Sequence, residues 1–126
     1  MNASVLVVDD SGLARRMMRQ MLEEMGHKVE EATDGATALE RYFLHRHDLV
    51  LLDMVMTGMY GLDVLTKMRE LNPDVRVIVT TADIQTSTRE QARGAGAAAF
   101  VNKPVNRKEF AGVVDTVLKG GTSTWN

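Results

Sequence analysis

The chemistry this 126-residue chain offers rests on a few polar residues. These are Asp9 and Asp10 in VLVVDDS, Asp53 at the end of DLVLLD, Thr80 and Thr81 in VTTAD, and Lys103, followed by Pro104, in FVNKP. Carboxylates brought together repel one another, and without a cation at least one of them holds its proton. A hard divalent ion removes that conflict. Mg²⁺ takes oxygen ligands in near-octahedral geometry and keeps several waters, so a couple of carboxylates and a backbone carbonyl are enough. Adjacent residues at a strand end point in different directions, so one of Asp9 and Asp10 can ligate directly while the other works through water. The plain alternative for the pair is a helix cap in solvent, since Asp ahead of a helix is a common N-cap. A similar structural role is open for Asp53 taken alone.

Whether these residues meet depends on the elements that carry them. Five short apolar runs recur: SVLVVD (4–9), KVEEA (28–32), DLVLLD (48–53), VRVIVT (75–80) and AAFVN (98–102). Several are apolar at nearly every position, as strands buried on both faces require. Between them lie stretches of helical period. In 13–25, Leu13, Ala14, Met17, Met18, Met21, Leu22 and Met25 fall on one face, with Arg15, Arg16, Arg19 and Glu23 opposite. Met17, Met21 and Met25 at this spacing read as soft core filling. Segments 35–45 and 61–71 repeat the pattern. The last helix, 106–119, opens on NRKE, a polar cap with Glu three residues on, and stops at Gly120–Gly121.

Strand and helix alternate five times, which predicts one α/β domain: a doubly wound, five-stranded parallel sheet with five helices. In such sheets ligands bind beyond the carboxyl ends of the strands, where strand order reverses. Every polar residue named above lies at that end. If the order is 2-1-3-4-5, strands one and three are neighbours and the three carboxylates converge. The fourth helical stretch, IQTSTREQARGAG (84–96), has only Ile84 as a large apolar residue and should be weakly docked. The domain is expected over 1–119, with 120–126, including the only tryptophan, Trp125, as a flexible tail. HRH at 45–47 reads as a surface turn rather than a metal site, with no cysteine or third histidine near it in sequence.

Composition excludes several classes. There is no cysteine, hence no disulfide framework, zinc–thiolate site or thiol nucleophile. A net charge of −2 and the lack of Lys/Arg runs speak against nucleic acid and anionic membrane as partners. No signal peptide or membrane-length apolar run is evident, so a cytoplasmic location is expected. The turn DDSGLA has neither phosphate-binding glycine motif, which argues against nucleotide and dinucleotide sites.

The acidic pair in VVDD, LLDMVMTGMYG around Asp53, VTTAD with Thr81, and FVNKP with Phe100, Lys103 and Pro104 resemble the receiver domain of two-component response regulators, most closely the stand-alone, CheY-like kind with its flavodoxin-like fold. The resemblance covers residues 4–119, and the strand order 2-1-3-4-5 is the family's. It implies phosphorylation of Asp53 by a phosphohistidine of a sensor histidine kinase or histidine phosphotransfer protein, or by a small phosphodonor. It implies Mg²⁺, with Mn²⁺ as a substitute, held by Asp10, Asp53 and the Val55 backbone carbonyl, with Asp9 reaching the ion through water. Lys103 and Thr81 would contact phosphoryl oxygens. Thr81 and Phe100 would switch the face made by the fourth helix, fifth strand and fifth helix, and Lys103–Pro104 is expected to be cis. Such a domain catalyses only its own phosphorylation and dephosphorylation.

The chain departs from the family at Thr57, where proline is frequent and the loop should be less rigid, and at Val55, where many relatives are polar. Two residues after Thr81 stands Asp83. A phosphatase with a strand-end Asp nucleophile would want a second Asp at position 55, and Val55 argues against it. With no output domain after residue 119, output is expected through an unidentified protein partner. Chemotaxis control, a phosphorelay intermediate, a phosphate sink and regulation of another enzyme stay open. So does a phosphorylation-independent pseudo-receiver that only binds. A monomer is expected, with dimerisation on phosphorylation left open.

Overall fold

The computed structural model describes residues 2–56, 58–82 and 85–120. Thr57, Asp83, Ile84 and the tail from Gly121 to Asn126 with Trp125 lie outside them, and so do the expectations attached to those positions. The elements run β1 (Ser4–Val8), α1 (Gly12–Glu24), β2 (Lys28–Ala32), α2 (Gly35–His45), β3 (Leu49–Asp53), α3 (Gly61–Leu71), β4 (Val77–Thr81), α4 (Thr86–Gly94), β5 (Ala99–Asn102) and α5 (Arg107–Leu118). The strands form one parallel sheet in the order β2-β1-β3-β4-β5. This is the doubly wound α/β architecture expected from the alternation of elements.

Successive side chains of a strand point to opposite faces, and the core divides accordingly. Leu6, Val8, Val50, Leu52, Val77 and Val79 pack with Ala38, Tyr42, Val64, Leu65 and Met68 of α2 and α3. Val5, Val7, Leu49, Leu51, Ile78 and Val101 pack on the other face with Met18, Leu22, Phe110 and Val114 of α1 and α5. Because each central strand is covered on both sides, no polar position interrupts it until its carboxyl end. That is why the polar residues collect there.

Ser11, not Asp9 or Asp10, caps α1: its Oγ accepts the Ala14 N–H at 3.2 Å. Asn106 caps α5, accepting the Glu109 N–H at 3.1 Å, as NRKE implied. The apolar stripe of α1 is wider than its buried face. Met18, Met21 and Leu22 are buried, while Leu13 and Met17 are 67% and 41% exposed along a groove of about 300 Å³ shared with Ala82, Pro104 and Val105. Met17 is therefore not core filling. β4 begins two residues later than VRVIVT suggested, because the Val75 N–H turns back to the Asn72 carbonyl. Within α4 only Ala92 is buried, in line with a lightly anchored helix. Among the described residues no helix is long and apolar enough to cross a membrane.

Candidate functional site

The parallel pairing of β1 with β3 sets Val8 beside Leu52, and that of β3 with β4 sets Asp53 beside Thr80. The residues just beyond these pairs form the site. Asp9 follows β1 directly and is fully buried. Its N–H donates to the Ala32 carbonyl at 3.2 Å, and its Oδ1 accepts the Ser11 N–H at 2.8 Å. Its Oδ2 meets Lys103 Nζ at 2.5 Å. Asp10, one residue on, is exposed. Asp53 ends β3 and is 6% exposed; its Oδ2 lies 3.4 Å from the same ammonium, and its Oδ1 accepts the Val55 N–H at 3.4 Å.

Lys103 stands ninety-four residues from Asp9 and reaches it because the sheet places β5 two strands from β3 on the same end. Its backbone N–H donates to the Thr81 carbonyl at 2.7 Å, and the Lys103–Pro104 peptide is cis. Thr81 is buried at the end of β4. Thr80 is buried beside Asp53, and its Oγ1 has no hydrogen-bond partner among the described residues. Phe100 is buried on β5 with Val79, Ala92 and Ala97, already inward, and Arg89 of α4 stands 6.0 Å from its ring centroid. The Val55 side chain is exposed.

Burial withdraws solvent from the Asp53 carboxylate and pushes its pKa to about 6; Asp9 adds to the rise, and Lys103 and the Val55 N–H moderate it. Burial works against the Lys103 ammonium as well, but the hydrogen bond to Asp9 and the charge of Asp53 outweigh it and leave its pKa raised. The pocket thus holds more negative charge than its lysine balances.

Carboxylate oxygens of Asp9, Asp10 and Asp53 all lie within 4.8 Å of one another. An octahedral Mg²⁺ with bonds near 2.1 Å spaces its ligands by about 2.9 Å when adjacent and about 4.2 Å when opposite. An all-oxygen set of this span, with surplus negative charge, fits such an ion. The backbone nearby is shaped for close approach. A Cβ on Gly61, at the first turn of α3, would stand 2.8 Å from Met54 Cα and closer still to the Asp53 carbonyl, so only glycine lets α3 start there. Its N–H donates to the Met54 carbonyl at 2.9 Å. Neither Gly61 nor the Ser11 N–H was singled out from the sequence, though Gly61 closes the quoted LLDMVMTGMYG.

Acidic strand ends beside a lysine on a 2-1-3-4-5 sheet define the site class of two-component receivers. Residues 5–115 match the model of the response regulator receiver domain, and the chain belongs to that family of phospho-acceptor signalling proteins. Members bind Mg²⁺ at an acidic pocket and act with histidine kinases, phosphotransfer proteins and downstream targets. The chain is 32% identical over 120 residues to the chemotaxis protein CheY of Thermotoga maritima, covering 94% of this chain and 100% of that one. It is 31% identical to sporulation initiation phosphotransferase F of Bacillus subtilis, covering 94% and 95%. It also matches the transcriptional regulator NtrC of Azospirillum brasilense at 34% identity, spanning 95% of this chain but only 25% of that protein. Among solved structures, a CheY-like receiver domain protein from Methanospirillum hungatei superimposes with a TM-score of 0.90 at 27% identity, over 95% of this chain and 96% of that one.

Proposed function

We propose that this chain is a response regulator whose Asp53 accepts a phosphoryl group from the phosphohistidine of a sensor kinase or phosphotransfer protein, or from a small phosphodonor, and so controls a protein partner. The observation that carries the reading is the buried Asp53 carboxylate with an ammonium 3.4 Å away and two further carboxylates beside it. With a pKa near 6, Asp53 is mostly ionised at neutral pH and serves as the nucleophile. Its Oδ attacks phosphorus as the P–N bond of the donor breaks, and the electron pair leaves with the imidazole.

Phosphoryl transfer asks chiefly for in-line positioning and neutralised charge. Lys103, held between Asp9 and Asp53, is placed to follow the charge onto a phosphoryl oxygen while Asp9 retains its N–H contact to Ser11. The Thr81 hydroxyl is the donor for a second oxygen. When bound, Mg²⁺ on Asp10, Asp53, the Val55 carbonyl and, through water, Asp9 would supply the remaining neutralising charge. The acyl phosphate is later cleaved by water, which restores the Asp53 carboxylate and releases phosphate.

Output is assigned to the α4–β5–α5 face. Thr81 ends β4, Phe100 lies within the neighbouring β5 beside Val79, and Arg89 of the thinly anchored α4 stands over the Phe100 ring. A helix with one buried residue costs little to shift, as a two-state element requires. The full-length relatives CheY and phosphotransferase F support chemotaxis control and a phosphorelay step as the two leading destinations. Beryllofluoride with Mg²⁺, a mimic of the phosphoryl group, tests the switch by amide NMR. Shifts spreading from Asp53 to Thr81, Phe100 and α4 are expected. Shifts confined to the pocket would refute the switch, and a pocket indifferent to the mimic would favour a module that only binds.

A further inference from the structure

The described residues contain a second cluster of metal-ligating side chains, far from the acidic pocket. Asp53 is at the carboxyl end of β3; His47 stands just before the amino end of the same strand. His45 is the last residue of α2, and Arg46 caps the helix in the left-handed region, with φ of 46°. That reversal turns the chain back so that His45 and His47, two apart in sequence, face the same residue. The residue is Glu30, at the centre of the edge strand β2. His45 Nδ1 lies 2.9 Å and His47 Nε2 2.6 Å from its Oε1. The other carboxylate oxygen, Oε2, accepts from Arg41 Nη1 at 2.8 Å. HRH is therefore not a plain surface turn, since His47 is 5% exposed, and the third ligand that sequence proximity lacked comes from β2.

We infer that Glu30 Oε1, His45 Nδ1 and His47 Nε2 form a binding site for a borderline transition-metal dication such as Zn²⁺, with a fourth position for solvent. All three donors lie within 4.8 Å of one another. A tetrahedral Zn²⁺ with bonds of 2.0–2.2 Å spaces its ligands by about 3.4 Å, so each imidazole nitrogen must part from Glu30 Oε1 by only about 0.5–0.8 Å. His45 is half-exposed at a helix end and can supply that movement. Two imidazole nitrogens now share one carboxylate oxygen, and a single ion between the three replaces both contacts at once.

The surroundings orient the set. Arg41 fixes the carboxylate through Oε2 and leaves Oε1 for the ion, the role of an outer partner at many metal centres. His47 is held by stacking on Tyr42, with ring centroids 6.1 Å apart and planes 24° apart. The carboxyl terminus of α2 adds the negative end of a helix dipole beside a cation. Binding at His47 Nε2 moves that ring's proton to Nδ1, which has no partner among the described residues. His47 also lines a polar cavity of about 260 Å³ with Asp48, Asn72 and Asp74. The guanidinium of Arg41 opposes a nearby dication, which sets a moderate affinity.

Two imidazoles and one carboxylate suit Zn²⁺, Ni²⁺ or Cu²⁺ and not Mg²⁺, which keeps to oxygen. This separates the site from the acidic pocket experimentally. The test is a calorimetric titration of the whole chain with ZnCl₂ in excess Mg²⁺, together with NMR of the histidine rings. One zinc per chain is expected, with His45 and His47 ring signals shifting and those of His27, the remaining histidine of the sequence, unmoved. His45→Ala, at an exposed position, should lower zinc affinity at least tenfold, which is about 1.4 kcal/mol. Asp53→Asn should leave it unchanged. Zinc displaced by Mg²⁺ or lost in Asp53→Asn would place the ion in the acidic pocket and overturn the inference. So would no uptake at micromolar zinc, or an affinity indifferent to His45→Ala.

Discussion

Replacing Asp53 with asparagine should stabilise the metal-free protein at neutral pH, and the gain should vanish in acid. The Asp53 pKa rises from 3.8 to about 6 on folding, chiefly through burial. The folded chain therefore binds this proton more tightly than the unfolded chain, and stability falls as pH rises between those two values. At 1.36 kcal/mol per unit, a shift of about two units costs about 3 kcal/mol once the carboxylate is ionised in both states. Its side chain is only 9% exposed, so solvent screening takes little from that figure. Asparagine keeps the shape and removes the charge.

The assay is urea unfolding of both proteins in EDTA, at pH 7.5 and again below pH 4. The variant should exceed wild type by about 2–3 kcal/mol at pH 7.5, a midpoint shift of roughly 1 M or more. Below pH 4 the two should converge, and Mg²⁺ should narrow the gap at pH 7.5 by stabilising wild type more. A variant no more stable than wild type at pH 7.5, or one whose gain persists unchanged in acid, would refute the claim that the pocket holds a costly, unbalanced carboxylate.

Other expectations follow from the same physics. Burial alone would raise Glu30, but hydrogen bonds from Arg41, His47 and His45 bring its pKa down to about 2, so its contribution is present above about pH 4.5 and lost as pH falls toward 2. Glu30→Gln should accordingly cost of order 2 kcal/mol at pH 7 and flatten the acid limb of the stability curve, read by urea midpoints across that range. Gly61→Ala forces a methyl group against the Met54 backbone and should cost about 1–3 kcal/mol while slowing Asp53 modification, checked by unfolding and phosphorylation rates on the same preparation. The exposed Val55 cannot orient an attacking water, so Val55→Asn should shorten the acyl-phosphate lifetime; an unchanged autodephosphorylation rate would remove Val55 from the account.

The sheet was legible because β1, β3 and β4 are buried on both faces and so read as unbroken apolar runs ending in polar residues. Their carboxyl ends mark Asp9, Asp53 and Thr81 in the sequence alone. What the pattern did not carry was which polar atom meets which. Asp9 and Asp10 are adjacent and chemically alike, yet one is fully buried against Lys103 and the other exposed. The contacts that hold Asp9, to the Ala32 carbonyl and to Lys103, come from β2 and from beyond β5 and are not written in the local sequence. Helical period overstates the buried face of α1 at Leu13 and Met17, since it marks an apolar stripe without saying how far a neighbour covers it. The partnership of Glu30 with His45 and His47 was invisible for the same reason. Two histidines on either side of a left-handed residue follow neither the helical nor the strand period, and their third member comes from a different element.

The most direct test of the central claim is the intact mass of the protein after incubation with acetyl phosphate and Mg²⁺, alongside Asp53→Asn. The account expects a gain of one phosphoryl group in the wild type, absent from the variant and absent when EDTA replaces Mg²⁺. No gain in the wild type, or the same gain in Asp53→Asn, would contradict it.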